Sequence, residues 1–271
     1  MTCPDPASAL STDVRRVGNA RDPFLAGHRG GSTRAKVSGH STSCRVLHPG
    51  APGALRPHVI RAGTEWFNVS RHDEVFNSAG GGDSRFAPLF TSAGRVVPYV
   101  YLAQNPIGAL LETALHDAWG TNSAVQHADL SGRRLRRIVC TSDLWVVDLR
   151  DHQLAGYGLD REELASSPSE HYACTRRWAD RHLQSHIEGK PTTGIIWHSR
   201  QMELAATHAR MPMQILLTSV EQAARTAVVY DTTGEASRHL EASIEYADLG
   251  HGDGLTLVTE LCTDMGLYVD Y

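Results

Sequence analysis

The pattern of apolar and polar positions changes character near residue 64. From there on, short β-branched and aromatic runs alternate with turn residues, and a few stretches repeat at helical spacing. GTEWFNV (63–69) reads as a first strand, and RVVPYVYLA (95–103) as a second. Asn105 then offers an N-cap, and Pro106 occupies a first helical position. Ile107, Leu110, Leu111, Ala114, Leu115 and Ala118 follow at helical spacing until Gly120, which predicts one continuous helix. LRRIVC (135–140), LWVVDL (144–149), TGIIWHS (193–199), MQILLTS (213–219) and TAVVYD (226–231) read as further strands. Residues 160–165 read as a short helix. YACTRRWADRHLQSHI (172–187) reads as a longer one, with Trp178, His182 and Leu183 on its buried face. LTLVTELC (255–262) fits either period. The chain contains no internal repeat. Strands and helices mix without regular alternation, which predicts an α+β fold rather than a doubly wound sheet.

The first 60 residues contrast with this. They hold eight basic and three acidic side chains, a charge of +5, against 18 and 27, or −9, in the remainder. They contain no Glu, one aromatic (Phe24), and much Gly, Ser, Pro, Ala and Thr. Such a stretch buries too little apolar area to offset its chain entropy and reads as a disordered basic extension. A functional reading is a basic arm that touches nucleic acid; aromatics between the charges would strengthen it, and they are missing. The expected division is therefore an extension over 1–60 and a folded domain over 61–271. The overall charge of −4 over 271 residues excludes a globally basic nucleic-acid binder. No apolar run approaches the roughly 18–20 residues that a membrane helix needs. The opening MTCPDPASALSTDVRR lacks the charged-then-apolar order of a signal peptide, so the expected location is cytoplasmic. Cys3, Cys44, Cys140, Cys174 and Cys262 are scattered, odd in number and free of any CxxC pair, which indicates neither a disulfide framework nor a zinc ribbon.

Some positions carry possible chemistry. Gly80-Gly81-Gly82 ahead of Arg85, and GHGDG (250–254), invite a phosphate reading, although neither is a P-loop. Each also reads as a plain turn. Glu112 stands inside an apolar helix pattern with no Lys or Arg three or four residues away. It is either a functional carboxylate or the partner of His116 at i+4. His182 and His186 share one helical face at i, i+4, without HExxH or a third ligand, and read as solvated histidines rather than metal ligands. Ser199 ends an apolar strand outside any GxSxG, which suits a ligand-positioning hydroxyl or an ordinary loop serine.

Three blocks together resemble the RES domain: SRHDEVFNSAGGGDSRF (70–86), YVYLAQNPIGALLETALH (99–116) and TGIIWHSR (193–200). The resemblance runs from about Trp66 to about Leu217, and the middle block is its most specific part. It implies a mixed twisted sheet with flanking helices, similar to the ADP-ribosyltransferase fold. It also implies an NAD-degrading activity directed at the nicotinamide–ribose bond, and the role of a bacterial toxin. The implied partner is an antitoxin with a helix-turn-helix domain; no direct nucleic-acid contact and no membrane are implied. NAD is then a substrate, and no metal or other cofactor is needed. Carried over residue by residue, the catalytic set is Glu112, Ser199 and Arg71, and the substrate-binding set is Arg85, Tyr101 and Arg200. The first arginine departs from the family pattern. It normally follows an aromatic in the opening strand, where this chain has Trp66-Phe67-Asn68, and Arg71 is the nearest candidate.

The residue types fit such chemistry. Breaking the bond builds positive charge on the ribose, which a carboxylate such as Glu112 stabilises. Arginine forks at Arg71 and Arg85 suit a pyrophosphate. The Tyr101 ring offers a stacking face, and Ser199 would bond the ribose or orient Glu112. A protein ADP-ribosyltransferase and an inactive binding module are the alternative readings.

Overall fold

The computed structural model describes residues 56–80, 82–116, 118, 123–157, 159, 161–162, 164–167, 169–183, 186–187, 189–208 and 220–271. Its contacts divide the chain into Met1–Cys44 and Arg45–Tyr271. The extension expected over 1–60 lies outside the described residues except for its last five. There, strand β1 (Pro57–Ile60) already belongs to the sheet, ahead of the expected start at 61.

The architecture is α+β, as the mixed pattern predicted. Eight strands form one mixed sheet. In spatial order they are β1, β8 (Leu144–Asp148), β11 (Gly194–His198), β12 (Arg225–Tyr230), β5 (Tyr99–Ala103), β2 (Glu65–Ser70), β7 (Arg134–Cys140) and β13 (Leu240–Tyr246). All neighbours are antiparallel except β8 and β11, which run parallel. Small pairs join β3 (Leu89–Phe90) to β4 (Val96–Val97), β6 (Ala124–Gln126) to β14 (Tyr268–Asp270), and β9 (His186–Ile187) to β10 (Lys190–Pro191). The helices are α1 (Pro106–Leu111), α2 (His127–Leu130), α3 (Asp151–Leu154), α4 (Tyr172–Leu183), α5 (Arg200–His208), α6 (Val220–Ala223) and α7 (Gly252–Asp264).

Each face of the sheet carries a core. One collects Val69, Ala103 and Leu135 with Leu110 and Leu111 of α1, Met202 of α5, and Val258 and Leu261 of α7. The other collects Trp66, Leu102, Ile138, Val146, Ile196 and Val229 under Phe76 and Leu240. Gly194 is required where β11 meets β12: a Cβ there would lie 2.2 Å from the Val228 carbonyl oxygen. Among the described residues no helix is long and apolar enough to cross a membrane. Cys140, Cys174 and Cys262 are buried and in no disulfide, and burial pushes the Cys140 and Cys262 thiols up to about 11.

Several elements differ from the pattern reading. The expected strand 95–103 is two strands, because Pro98 has no N–H to continue the ladder. The expected helix from Pro106 stops at Leu111. Beyond it the Thr113 N–H turns to Leu110 O, the Leu115 N–H also turns to Leu110 O, and the Thr113 hydroxyl bonds Ala109 O at 2.6 Å. A threonine that bonds back to the preceding turn competes with the helical ladder. Glu112 is thereby a helix C-cap, not a mid-helix residue. The helix expected over 172–187 ends at Leu183, and His186–Ile187 are strand. Of the helix expected over 160–165, the described residues form turns. LTLVTELC resolves to helix within α7. The strand expected over 213–219 lies outside the described residues.

Candidate functional site

The site is assembled where β5, α1, β11 and α5 meet on one face of the sheet. Asn105 caps α1, accepting the Gly108 N–H at 2.8 Å and donating to Ala223 O at 2.8 Å. This fixes the start of a six-residue helix whose end presents Glu112. The end of β11 delivers Ser199, which is fully buried. Its N–H donates to Ala224 O at 2.6 Å, and its Oγ accepts the Met202 N–H at 3.0 Å. Ser199 is therefore the N-cap of α5. Because Oγ accepts from Met202, its single proton is free to go elsewhere, and it goes to Glu112 Oε1. The half-buried Glu112 carboxylate has no cationic partner among the described residues, and His116 is not bonded to it. Ser199 and Glu112 are the two expected catalytic residues that the fold brings into direct contact, across 87 positions of sequence.

Tyr101 lies on the same face. Its ring stands edge-on to Trp197 at 5.9 Å and to Tyr99 at 5.9 Å. Ser84 Oγ donates to Ala87 O at 2.7 Å, so the Tyr101 hydroxyl donates to Ser84 Oγ at 2.8 Å and accepts the Phe86 N–H at 3.3 Å. Burial pushes the Tyr101 phenol well above its ordinary range, so it stays protonated. Tyr101 thus brackets Arg85 from both sides. The Arg85 guanidinium lies 5.4 Å over the Tyr172 ring and donates through Nη2 to Ser167 O at 3.0 Å. Its Nε is buried and has no hydrogen-bond partner among the described residues. Phe86 packs edge-on against Trp197 at 5.0 Å, and Trp197 stands two residues before Ser199. Through Trp197, then, the Arg85 segment, Tyr101 and the Ser199–Glu112 pair form one contiguous structure.

The remaining two expected residues sit differently. Arg200, at the first position of α5, is exposed and forms no ion pair among the described residues. Arg71 is exposed, and its guanidinium is spent on the carbonyls of Ala128 and Asp129 in α2, at 2.8 and 3.1 Å. It forms no hydrogen bond to Glu112, Ser199 or the Arg85 segment. Opposite Asn68, the position where an arginine is expected, the register places Arg136 of β7. Arg136 is buried and bonds Asn68, Ser70 Oγ at 2.6 Å, and the carbonyls of His72 and Asp73. Alternation puts it on the face of Trp66 and Ile138, away from α1 and α5.

The glycines of both stretches have backbone requirements of their own. Gly80 and Gly82 adopt positive φ, and a Cβ built on Gly250 would lie 2.7 Å from Ser131 Cα, so a side chain has no room there. His182 is buried against Trp178, ring centroids 4.1 Å apart. Among the described residues no three His, Cys, Asp or Glu side chains converge as a metal site. Sequence reasoning missed Tyr230, whose hydroxyl donates to Phe86 O at 2.6 Å, and Thr175, whose hydroxyl bonds Arg85 O. It also missed the Arg161–Glu203 ion pair one turn into α5. The available signals were a polar tip ending the apolar strand TAVVY and a threonine on the buried face of α4.

The model of the RES domain family matches residues 57–238. Among solved structures, the chain is similar to one in the crystal structure of the M. tuberculosis MbcT–MbcA toxin–antitoxin complex. The two share 14% identity and a TM-score of 0.44, with 81% of this chain and 96% of that chain covered. No curated protein matches the chain.

Proposed function

The chain belongs to the RES domain family, and from that membership we propose that it cleaves the nicotinamide–ribose bond of NAD, with Glu112 as the central carboxylate. The observation that carries the reading is the Ser199–Glu112 pair: a carboxylate with no cationic partner among the described residues, held by one oxygen from a buried, fixed hydroxyl. A carboxylate kept unneutralised can stabilise positive charge that develops on a ribose ring, and one already oriented costs no reorganisation at that moment. Ser199 fixes Oε1 and leaves Oε2 for the reacting sugar or the attacking oxygen. Nicotinamide leaves as a neutral molecule, so the step needs no strong general acid. Arg85 and Arg200 are the cations near this pair that suit a pyrophosphate. The Tyr101 hydroxyl is committed to the Arg85 segment, so Tyr101 contributes its ring as a wall. The same proposal includes the biological setting that the family resemblance implies: a toxin restrained by an antitoxin protein.

One observation favours a second reading, an inactive binding module. Arg71 is occupied by α2, and Arg136 lies on the other face of the sheet. The test is nicotinamide release from NAD by the purified protein, with and without phosphate, beside Glu112→Gln. Release that disappears in Glu112→Gln supports cleavage, and its phosphate dependence names the acceptor. No release from folded protein overturns cleavage in favour of the binding module.

A further inference from the structure

We propose that Tyr230 and Thr175 are positioning residues that set the pose of the Arg85 guanidinium for an anionic, pyrophosphate-bearing substrate; this rests on the reading above. Every polar backbone group from Ser84 O to Phe86 O other than the Arg85 N–H is held by a side chain from a distant element. Ser84 O accepts from Arg176 Nη1 at 3.0 Å, and Arg85 O is bonded by the Thr175 hydroxyl, both from α4. The Phe86 N–H donates to Tyr101 of β5, and Phe86 O accepts from Tyr230 of β12 at 2.6 Å. Arg176 also pairs with Asp83.

The segment is buried at Phe86 and Ala87, so its carbonyls require donors, and side chains from distant elements supply them in place of a backbone ladder. Tyr230 and Thr175 are 1% and 0% exposed, and each directs its buried hydroxyl at a backbone carbonyl beside Arg85. What the arrangement controls is the direction in which the Arg85 side chain leaves the backbone. Ser167 O and the Tyr172 ring then hold one edge of the guanidinium, while Nε stays unpaired. A guanidinium fixed along one edge presents its remaining N–H groups at a set angle, the geometry that suits an anion with two oxygens.

Tyr230→Phe removes one buried oxygen and keeps the ring. Thr175→Val keeps the shape. The first readout is amide exchange of the peptide spanning residues 84–87, which needs no substrate. Faster exchange there than in wild type is expected in both variants, with the rest of β5 and β12 unchanged. Unaltered exchange overturns the positioning role whatever the protein's activity. The second readout is steady-state cleavage of NAD. The KM is expected to rise about tenfold with kcat changed less than twofold, and the same substitutions made on Arg85→Lys are expected to add little. A fall in kcat at constant KM, or an equal KM effect with and without Arg85, overturns it. Absence of turnover in wild type with faster exchange at 84–87 in the variants overturns the NAD reading and the substrate assignment with it, leaving the clamp as a structural one.

Discussion

Replacing Ser199 with alanine removes two hydrogen bonds at one atom, and their energies can be separated. The bond from Met202 N–H is the cap of α5, and exchanging a capping serine for alanine costs about 1 kcal/mol. The bond to Glu112 is charge-assisted, which favours it. The carboxylate is only half-buried, however, so water replaces part of what is lost, and the net is about 1 kcal/mol. The single variant should therefore lose about 2 kcal/mol, a fall in Tm of about 4–8 °C for a domain of this size. Glu112→Ala removes only the second bond. A double-mutant cycle built from Ser199→Ala and Glu112→Ala should show a coupling of about 1 kcal/mol, and Ser199→Ala made on Glu112→Ala should still cost the cap. Urea unfolding followed by the fluorescence of buried Trp66, Trp178 and Trp197 measures all four corners. Additivity to within about 0.3 kcal/mol would refute the claim that the serine holds the carboxylate.

Two further predictions concern the scaffold. Gly194→Ala places a Cβ against the Val228 carbonyl oxygen in the middle of the sheet and should cost about 3 kcal/mol or prevent folding; a urea midpoint equal to wild type would show that β11 and β12 can separate freely. His182 is held down to about 4, first by burial and then by the charge of Arg181, whereas an unfolded histidine titrates near 6.5. The unfolded state therefore binds the proton first, so this group's contribution is complete above about pH 6.5 and is lost as the pH falls toward 4. Comparing urea midpoints at pH 7 and 4.5 should show a smaller acid loss in His182→Phe than in wild type, and an equal loss would remove His182 from the account.

Where a pattern depends on one residue and its immediate neighbours, it was readable. β2, β7, β8, β11 and β12 each announce themselves by β-branched and aromatic runs, and Asn105-Pro106 marks the start of α1 within one residue. The failures come from competition that a periodic count does not weigh. The apolar period through Ala118 is real, since Leu115 and Ala118 are buried, but they are buried from a turn and not from a helix. Thr113 bonding back to Ala109 is local and was in principle visible; the turn of the Thr113 and Leu115 N–H groups to Leu110 O was not. β13 escaped because five of its seven residues are exposed, which leaves an edge strand without the apolar alternation by which strands are found. β1 escaped because it follows a basic, glycine-rich stretch and is only four residues long.

The candidate site divides along the same line. Glu112 was singled out as a carboxylate without a local cation, and the residue that holds it was singled out separately as a strand-end serine; their hydrogen bond spans 87 positions and no local pattern encodes it. What sequence could not supply is the direction in which shared groups point. Tyr101 has the right ring for stacking, yet its hydroxyl is used up between Ser84 and Phe86. Arg71 has the right charge, yet two α2 carbonyls take its guanidinium. Arg136 is in register with Asn68, and both side chains point to the face of Trp66 and Ile138, away from Glu112 and Ser199. A hydrogen-bonding group has few donors and acceptors, so each one spent on the scaffold is withdrawn from a ligand. By that count, among the described residues, the second oxygen of Glu112 and the exposed guanidinium of Arg200 are not spent on the scaffold, whereas Nε of Arg85 is buried without a partner.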